Sequence, residues 1–387
     1  MLRYIKEAKI MIKTLTKTLP RNKDSEFLAI INGNINILFQ KDTIVGINDK
    51  IQSNIDIQDI NILDANHLVI TPGLFDSHMH GGFGCYFNDF EEKNCEKLLK
   101  ELPKHGITSI FATIMTDSDE KIANAIKKLK KVTKIPTQKT KIEGIHLEGP
   151  YISKDFAGIH PKNHIISPSV EHFKQFEDNF IKMVTFAPEL DPNGTFKNYL
   201  KKRKITPSAG HSGAKANEIE GVQLVTHLFN AMPKLHHRNL NLLSQALYKN
   251  NISVEVIADC AHIAPEILEI IFKLKTKDKI LLISDCLPIT GCDEGEFIFG
   301  GQKIHIKDKK AINPDGTMAG SIMFLDEIGQ NLIKKGIISF EDFIQMASIT
   351  PRIFHGLPHK IEIGEKIDLV LWEKATPKFS IIDGKLC

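Results

Sequence analysis

Short apolar, β-branched segments recur along most of the chain, and amphipathic segments lie between them. The apolar segments are Leu68–Phe75, Ile107–Ala112, Ile142–Leu147, Met183–Ala187, Ile205–Ala209, Val222–Thr226, Ile252–Ala258 and Ile280–Ser284. The amphipathic segments include Asp119–Lys134, Pro265–Lys275 and Phe324–Lys335. Short continuous apolar runs are typical of strands buried on both faces, as in a parallel sheet. Eight such units in alternation predict an α/β fold, a (β/α)8 barrel of the TIM type.

Two of the predicted helices carry signals for their first turn. Asp117 and Glu120 have the spacing of a capping box before the helix at Asp119. Ser339 and Asp342 suit the start of a last helix. Both signals predict where a helix begins.

The two ends of the chain are strand-like and do not follow this alternation. The strand-like segments there are Tyr4–Leu15, Phe27–Phe39, Asp42–Ile47, Ile361–Trp372 and Phe379–Ile382. We therefore predict a small β-sandwich domain built from residues 1–71 and 356–387. The barrel would occupy residues 72–355 and interrupt that domain in sequence.

A long connection, residues 286–320, follows the eighth predicted strand. Its segment Phe297–Ile306 has the pattern of a β-hairpin. Long loops at the carboxyl ends of barrel strands usually serve function, so we expect this connection to be functional.

Composition and charge narrow the class of protein. The chain has 387 residues, of which 42% are hydrophobic and 25% charged, as in an ordinary soluble globular protein. A formal net charge of +3, without a basic patch interleaved with aromatic residues, argues against nucleic acid as a partner. No apolar run reaches the ~18 residues of a membrane helix, and the first twenty residues lack the apolar core of a signal peptide.

The six cysteines form no C-x-x-C pair and no regular framework. Such cysteines are typical of reduced thiols in a cytoplasmic protein. We expect this location, no membrane association, and a small molecule as the partner.

Imidazoles and carboxylates follow most of the predicted barrel strands. They are Asp76, His78, His80, His146, Glu148, His211, His227, Asp259, His262 and Asp285. The carboxyl ends of barrel strands meet at one face, so these side chains should collect there. Histidine and carboxylate are ligands of zinc and similar ions. Any single one could be a hydrogen-bonded core residue or a turn, but their recurrence at successive strand ends favours a metal centre.

One segment makes the metal hypothesis more specific. Side chains alternate along a strand, so His78 and His80 point the same way and can bind one ion. They follow Thr71–Asp76 at the end of the first apolar segment. Together this stretch resembles the signature of the amidohydrolase superfamily.

The resemblance narrows to the N-acetylglucosamine-6-phosphate deacetylases. The motifs that carry it are His146–Tyr151, Gly158–Pro161, Gly210–Ser212, Thr226–Met232, Ile257–Asp259 with His262, Ser284–Asp285 and Asp315–Ser321. They occur in order along essentially the whole chain. The set is specific, whereas any one motif is not.

The resemblance implies a chemical role for several positions. Glu148, His211 and His227 match the ligands of the principal metal ion, Asp285 matches the general acid/base, and His160 matches the residue that contacts the acetyl carbonyl. The family members that keep histidines at the His78 and His80 positions hold a second ion, bridged here through Glu148. The resemblance thus implies one or two divalent ions, zinc or iron or another, and hydrolysis of N-acetyl-D-glucosamine 6-phosphate to D-glucosamine 6-phosphate and acetate.

The resemblance also implies how the substrate is bound. The matching positions are Ile159, His160, Asn230, Ala231, Arg238, His262, Met318, Ala319 and Gly320. Arg238 matches the arginine that binds the phosphate. In the family that arginine reaches across a dimer interface, so a homodimer is implied.

Two alternative functions remain open on the residues alone. Another amidohydrolase, such as a nucleobase deaminase or a D-aminoacylase, would share the metal chemistry but would not need Arg238. A dihydroorotase-like assignment needs a carboxylated lysine after the fourth strand, where this chain has Ala187–Glu189. A metal-binding protein without activity would leave Asp285 and His160 without a role.

Overall fold

The computed structural model describes residues 19–23, 25–32, 35–48, 50–52, 55–133, 139–292, 296–307, 310–312 and 318–387. The predicted strand Tyr4–Leu15 and the motif residues Asp315–Thr317 lie outside the described residues. Met318 and Ala319 lie in a strand, but their side chains are outside the described part of the chain.

The first sheet is built from the amino-terminal part of the chain. Its strands are β1 (Phe27–Ile31), β2 (Ile37–Gln40), β3 (Thr43–Ile47), β4 (Lys50–Ile51) and β5 (Asn61–Asp64). They lie in the order β4-β3-β2-β1-β5, with β5 parallel to β1 and the other pairs antiparallel. Strand alternation gives β1 two apolar faces: Leu28 and Ile30 pack into one core, and Phe27 packs into another. The next strand, β6 (Val69–Pro72), belongs to a second sheet.

Eight of the described strands form the barrel. The chain passes through β7 (Leu74–Met79), a small hairpin of β8 (Gly81–Gly82) and β9 (Cys85–Tyr86), then β10 (Ile107–Met115), β11 (Lys141–Glu148), β12 (Ile181–Phe186), β13 (Thr206–Ala209), β14 (Leu224–Val225), β15 (Ser253–Ile257) and β16 (Ile280–Ile283). Strands β7 and β10–β16 are parallel neighbours in sequence order. The Asp285 N–H donates to His78 O at 2.9 Å, and the His80 N–H donates to Cys286 O at 2.9 Å, which closes the barrel. The predicted barrel is confirmed.

The predicted first barrel strand was wrong in its bounds. The segment Leu68–Phe75 is divided at Gly73 between β6 and β7, because β6 pairs with a strand of the terminal domain. The barrel strand begins at Leu74 and ends at Met79, so it includes His78.

The described helices pack around the barrel. They are α1 (Glu92–Glu101), α2 (Asp119–Val132), α3 (Val170–Phe173), α4 (Thr195–Lys202), α5 (Leu242–Tyr248), α6 (Pro265–Leu274), α7 (Leu325–Lys334), α8 (Phe340–Ile344) and α9 (Thr350–Phe354). In α2, the buried residues Ile122, Ile126 and Leu129 recur at helical spacing and face the barrel. None of the helices in the described ranges has both the length and the apolar composition to cross a bilayer.

The predicted start of α2 at Asp119 is confirmed, but its predicted cap was wrong. The N-cap of α2 is Ser118, which makes no capping side-chain bond. The Asp117 carboxylate instead accepts from the Ser118 N–H and from Lys121, so the predicted capping box is not formed. The second start is confirmed, since the Ser339 hydroxyl accepts from the Asp342 N–H at 3.0 Å.

The connection after β16 forms an antiparallel sheet of its own. Its strands are β17 (Glu296–Phe299), β18 (Gln302–Lys307), β19 (Lys310–Ile312) and β20 (Met318–Gly320). The pairing of β17 with β18 confirms the predicted hairpin. The Phe299 ring lies 5.3 Å from that of His80 and 5.2 Å from that of Tyr86, measured between centroids. The hairpin therefore borders the carboxyl end of the barrel.

Both ends of the chain contribute to the β-sandwich. The last strands are β21 (Leu369–Glu373), β22 (Thr376–Ile382) and β23 (Lys385–Leu386), in a sheet of order β23-β22-β21-β6. Leu28 and Phe39 of the first sheet share a core with Leu369, Leu371 and Ile381 of this one. The predicted fold class is confirmed.

The bounds of one predicted strand in this domain were wrong. The predicted strand Ile361–Trp372 was too long, because β21 begins at Leu369 and the preceding backbone is irregular. The domain boundaries at residues 71/72 and 355/356 stay a prediction.

His355 is a partly buried histidine whose ring packs among aromatic side chains. Its ring packs against Phe111 at 4.8 Å and Phe75 at 5.7 Å between centroids. The Nε2 atom is buried and has no hydrogen-bond partner in the described part of the chain. Burial lowers the pKa of His355 from 6.5 to about 3. The neutral ring thus contributes stability above pH 6.5 that is lost as the pH falls toward 3.

The variant His355→Leu is therefore expected to be less sensitive to acid. At pH 5 the free energy of unfolding of the wild type should be about 2 kcal/mol lower than at neutral pH because of His355. Each pH unit below 6.5 contributes about 1.36 kcal/mol, since the unfolded chain takes up a proton that the folded chain does not. Urea unfolding of chelator-treated protein at pH 7 and pH 5 measures the difference. The exposed His237→Leu variant is the control, and an equal loss of stability in His355→Leu and wild type would contradict the expectation.

Candidate metal centre and active site

The polar residues of the site lie at the carboxyl ends of barrel strands. Glu148 is the last residue of β11, His78 lies in β7, and His211, His227 and Asp285 follow β13, β14 and β16. The backbone φ values of these last three residues are 48°, 31° and 52°. Left-handed φ at non-glycine residues is uncommon and clusters at functional sites. The chain therefore turns sharply after each strand and directs the side chain into the barrel mouth.

Glu148 lies between two imidazoles in the first candidate metal group. Glu148 Oε1 is 3.1 Å from His211 Nε2 and 3.0 Å from His227 Nε2, and the two Nε2 atoms are 3.0 Å apart. All three residues are buried. The Phe156 carbonyl, 2.8 Å from His211 Nδ1, orients that ring. Two imidazole nitrogens and one carboxylate converging in this way suit a zinc-type ion.

A second candidate group shares Glu148 with the first. His80 Nε2 lies 3.3 Å and His78 Nε2 lies 3.5 Å from the Glu148 carboxylate. His78 Nε2 is buried, and within the described ranges it has no hydrogen-bond partner. The opposite nitrogen, His78 Nδ1, is 3.2 Å from Glu255 Oε2, which fixes the ring orientation. The donor set therefore fits a second ion bridged by Glu148.

Asp285 and His160 flank these groups. Asp285 Oδ1 is 3.1 Å from His80 Nε2 and 3.4 Å from His78 Nε2. Burial alone would raise the pKa of Asp285, but His78 and His80 bring it below its ordinary value. Burial, together with the nearby His211, lowers the pKa of His160 to about 4. At neutral pH the site thus holds an ionised aspartate and a neutral histidine.

His160 is held between two other residues of the site. Its Nδ1 lies 2.8 Å from Thr116 Oγ1 and its Nε2 lies 3.2 Å from Glu148 Oε2. Burial would raise the pKa of Glu148, but His78 and His160 hold it well below its ordinary value. Glu148 is therefore an anion at neutral pH, as a metal ligand must be.

A cavity of about 380 Å³ connects these groups. It is lined by His80, Met115, Glu148, Gly158, Ile159, His160, His211, His227, Asn230, Ala231, Ile257, His262, Asp285, Phe299 and Gly320. His262 is fixed by Asp259, whose carboxylate lies 2.8 Å from His262 Nδ1. Most of the residues predicted to bind metal or substrate thus share one cavity.

Arg238 and His146 lie elsewhere. Arg238 is exposed in the loop before α5, where its N–H donates to His236, and it does not line the cavity. His146 lies inside the barrel, 3.2 Å from Thr113 Oγ1 and 2.8 Å from Thr185 Oγ1. His146 is therefore a satisfied interior residue in this chain.

Sequence reasoning missed several residues of the site. Met115 and Phe299 line the cavity, and nothing in their local pattern distinguishes them from core residues. Thr116 and Glu255 support His160 and His78 from behind. Glu255 had a usable signal, because it is the one charged residue of the predicted strand Ile252–Ala258.

A family model and curated relatives match most of this chain. Residues 69–387 match the model described as the amidohydrolase family. The curated N-acetylglucosamine-6-phosphate deacetylase of Bacillus subtilis (strain 168) is 32% identical over 317 residues, covering 78% of this chain and 80% of that protein. The enzyme of the same name from Caenorhabditis elegans is 30% identical over 351 residues, covering 84% and 83%.

Solved structures of the same kind superpose on nearly the whole chain. That of N-acetylglucosamine-6-phosphate deacetylase from Thermotoga maritima has a TM-score of 0.79 at 27% identity, covering 93% of this chain and 98% of the other. That from Pasteurella multocida has a TM-score of 0.84 at 24% identity, covering 93% and 99%, and supports the fold.

Proposed function

The chain belongs to the amidohydrolase family and, within it, to the N-acetylglucosamine-6-phosphate deacetylases, and we propose that it hydrolyses N-acetyl-D-glucosamine 6-phosphate to D-glucosamine 6-phosphate and acetate. The observation that carries this proposal is the convergence of Glu148, His211 and His227 beside Asp285 in one cavity. Amide hydrolysis needs an activated water, a polarised carbonyl and a proton donor for the amine. The cavity contains residues suited to each of these tasks.

Glu148, His211 and His227 would hold the principal divalent ion, zinc or iron. His78 and His80 would hold a second ion through the shared Glu148. Such an ion makes water more acidic and polarises an amide carbonyl. The buried His78 Nε2, which has no hydrogen-bond partner among the described residues, supports the second position.

Asp285 would act as the general base and then as the general acid. Its lowered pKa keeps it ionised and able to take a proton from the attacking water. The protonated carboxyl then donates to the sugar nitrogen as the C–N bond breaks. His160, whose Nδ1 contacts the Thr116 hydroxyl, would present its Nε2 to the carbonyl oxygen and stabilise the developing oxyanion.

The sugar would lie on the side of the cavity formed by Asn230, Ala231, His262 and Gly320. Met318 and Ala319 are proposed to contact it as well. The phosphate would bind Arg238 of a partner subunit in a homodimer. The exposure of Arg238 within its own subunit supports that assignment. We also propose a cytoplasmic location.

Acetate release is the experiment that tests the function. The purified, metallated protein is expected to release acetate from N-acetyl-D-glucosamine 6-phosphate. N-acetyl-D-amino acids and amino-bearing nucleobases are the comparison substrates. Activity on either of these, without activity on the phosphorylated sugar, would replace the proposal with another amidohydrolase reaction.

Arg238→Ala is expected to reduce the preference for phosphorylated substrate. Charge-assisted hydrogen bonds are worth roughly 1.5–3 kcal/mol, which corresponds to more than tenfold in kcat/KM. Turnover of unphosphorylated N-acetylglucosamine should hardly change. The matched control is Lys234→Ala, another exposed cation in the same loop. Equal losses on both substrates would mean that Arg238 is structural.

The same variant tests the dimer. If Arg238 acts on the partner subunit's site, mixing Arg238→Ala protein with Asp285→Asn protein and allowing exchange should restore activity. Each mixed dimer would contain one site with both groups intact. Activity that never exceeds the sum of the separate variants would contradict this arrangement.

A further inference from the structure

The lining of the cavity is chemically divided. Histidines, carboxylates and Asn230 dominate one part, which also contains Ala231 and Ile257, whereas Met115, Ile159 and Phe299 form a separate apolar part. These three residues belong to one packed cluster, in which Leu287 and Ile304 lie behind them. Met115 is 1% exposed and Phe299 is 3% exposed. We call Met115, Ile159 and Phe299 the apolar wall.

Each residue of the apolar wall is next to a different polar residue of the site. Met115 is the register partner of Glu148 across β10 and β11. Ile159 directly precedes His160 in the chain. The Phe299 ring lies 5.3 Å from the His80 ring. The apolar wall therefore lies beside His160, which would act on the carbonyl, and beside the candidate metal groups.

The barrel places this wall opposite the proposed sugar side. Met115 ends β10 and Ile159 follows β11, which are the second and third strands around the barrel. Asn230 and His262 follow β14 and β15, the sixth and seventh strands. In a closed barrel of eight strands, the second and third lie across from the sixth and seventh. The two sides of the cavity are thus matched to two different parts of a substrate.

A secondary amide has the same two-sided shape. Its C–N bond is trans, so the substituent on the carbonyl carbon and the substituent on nitrogen point away from each other. If the sugar on nitrogen faces Asn230 and His262, the acyl carbon chain faces the apolar wall. An apolar surface is suited to a methyl group, which cannot form hydrogen bonds.

The hairpin of β17 and β18 contributes Phe299 to the apolar wall and packs against the other two residues of the wall. At its turn, Gly300 has a φ of 58°, and a Cβ on Gly300 would lie 2.8 Å from Ile159 O and 3.3 Å from Met115 Cε. The absence of a side chain lets the turn lie directly on Ile159 and Met115. The turn therefore packs against Ile159 and Met115, next to Phe299, which lines the cavity.

We propose that the apolar wall of Met115, Ile159 and Phe299 is the acyl subsite, and that it restricts the enzyme to short acyl groups. This inference rests on the proposed function. A closed apolar pocket discriminates one methylene by roughly 10–200-fold in kcat/KM. The wild-type enzyme should therefore prefer N-acetyl over N-propionyl glucosamine 6-phosphate by about tenfold or more. The N-butyryl compound should be a poorer substrate still.

Phe299→Ala should enlarge the subsite while leaving the proposed metal ligands themselves unchanged, although it removes the ring contact with His80. We expect the ratio of kcat/KM for the propionyl compound over the acetyl compound to rise about tenfold or more. Met115→Ala should shift the ratio in the same direction, and its residue lies on a barrel strand rather than on the hairpin. The control is Ile298→Ala, because Ile298 is adjacent in β17 but 76% exposed. Metal content is measured on every variant.

The outcomes separate this inference from the function on which it rests. Acetyl hydrolysis with an unchanged acyl ratio in both metallated wall variants would overturn the acyl subsite and leave the function standing. A wild-type enzyme that accepts acetyl and butyryl equally would do the same. Failure to hydrolyse any of the acyl compounds would overturn both proposals.

Discussion

Asp285→Asn is expected to lower turnover by about 10²–10⁴-fold, the loss typical of removing general acid–base catalysis. Asparagine has nearly the same size and can accept a hydrogen bond, but it cannot carry a proton from water to the amine. The backbone should tolerate it, because asparagine is among the residues that most readily adopt the left-handed φ of 52° found at Asp285. The loss should therefore appear in turnover rather than in folding.

Three measurements on one preparation test this expectation: melting temperature, metal content and turnover. We expect near-normal values for the first two and a large loss in the third. A turn aspartate without a catalytic role would give the reverse, with lower stability and normal turnover. Asp278→Asn, an exposed aspartate shortly before β16, is the control. Near-wild-type turnover in fully metallated Asp285→Asn would move the proton transfer to a histidine of the cluster.

Replacing His211 or His227 by Asn is expected to remove metal and activity together. Each imidazole lies about 3 Å from Glu148 Oε1 and from the other, so losing one leaves too few donors for a zinc-type site. Metal activation contributes several kcal/mol, so turnover should fall on the order of 10³-fold. Elemental analysis of the purified variants, alongside acetate release, measures both effects.

A double variant distinguishes the two metal positions. Changing His78 and His80 together to Asn should remove at most one separable metal equivalent and leave the principal one. His172→Asn is the control, because His172 is bonded to Tyr151 and Asp119 outside the cavity. Full metal retention in the His211 and His227 variants would end the assignment of the principal site.

The fold could be predicted from the sequence because short segments of apolar and polar residues specify its individual strands and helices. Apolar segments such as Ile280–Ser284 match β16 to within one residue, and Pro265–Lys275 matches α6 equally well. Prediction failed where the same residues could form a different hydrogen bond or pair with a different strand. Asp117 could cap α2, but its carboxylate accepts from the Ser118 N–H instead. The segment Leu68–Phe75 has the pattern of one strand, but long-range pairing divides it between two sheets.

The clustering of the candidate site residues could be predicted for a related reason. A residue at the carboxyl end of a barrel strand must lie at one face of the barrel, whatever the details of packing. Glu148, His211, His227 and Asp285 meet that condition, and the structure brings them together. Their roles in catalysis are proposals that depend on chemistry and on the resemblance.

The sequence by itself thus determined the barrel, the terminal β-sandwich and the set of polar residues at the strand ends. Only the tertiary structure decided which of them enter the cavity. His146 and Glu148 are two residues apart on β11, yet His146 bonds to threonines inside the barrel while Glu148 contacts the histidines of the candidate metal groups. Strand alternation fixes the face of a side chain, but its depth depends on strand tilt and register. The apolar wall joins Met115, Ile159 and Phe299 from distant segments, so it exists only once long-range packing has formed.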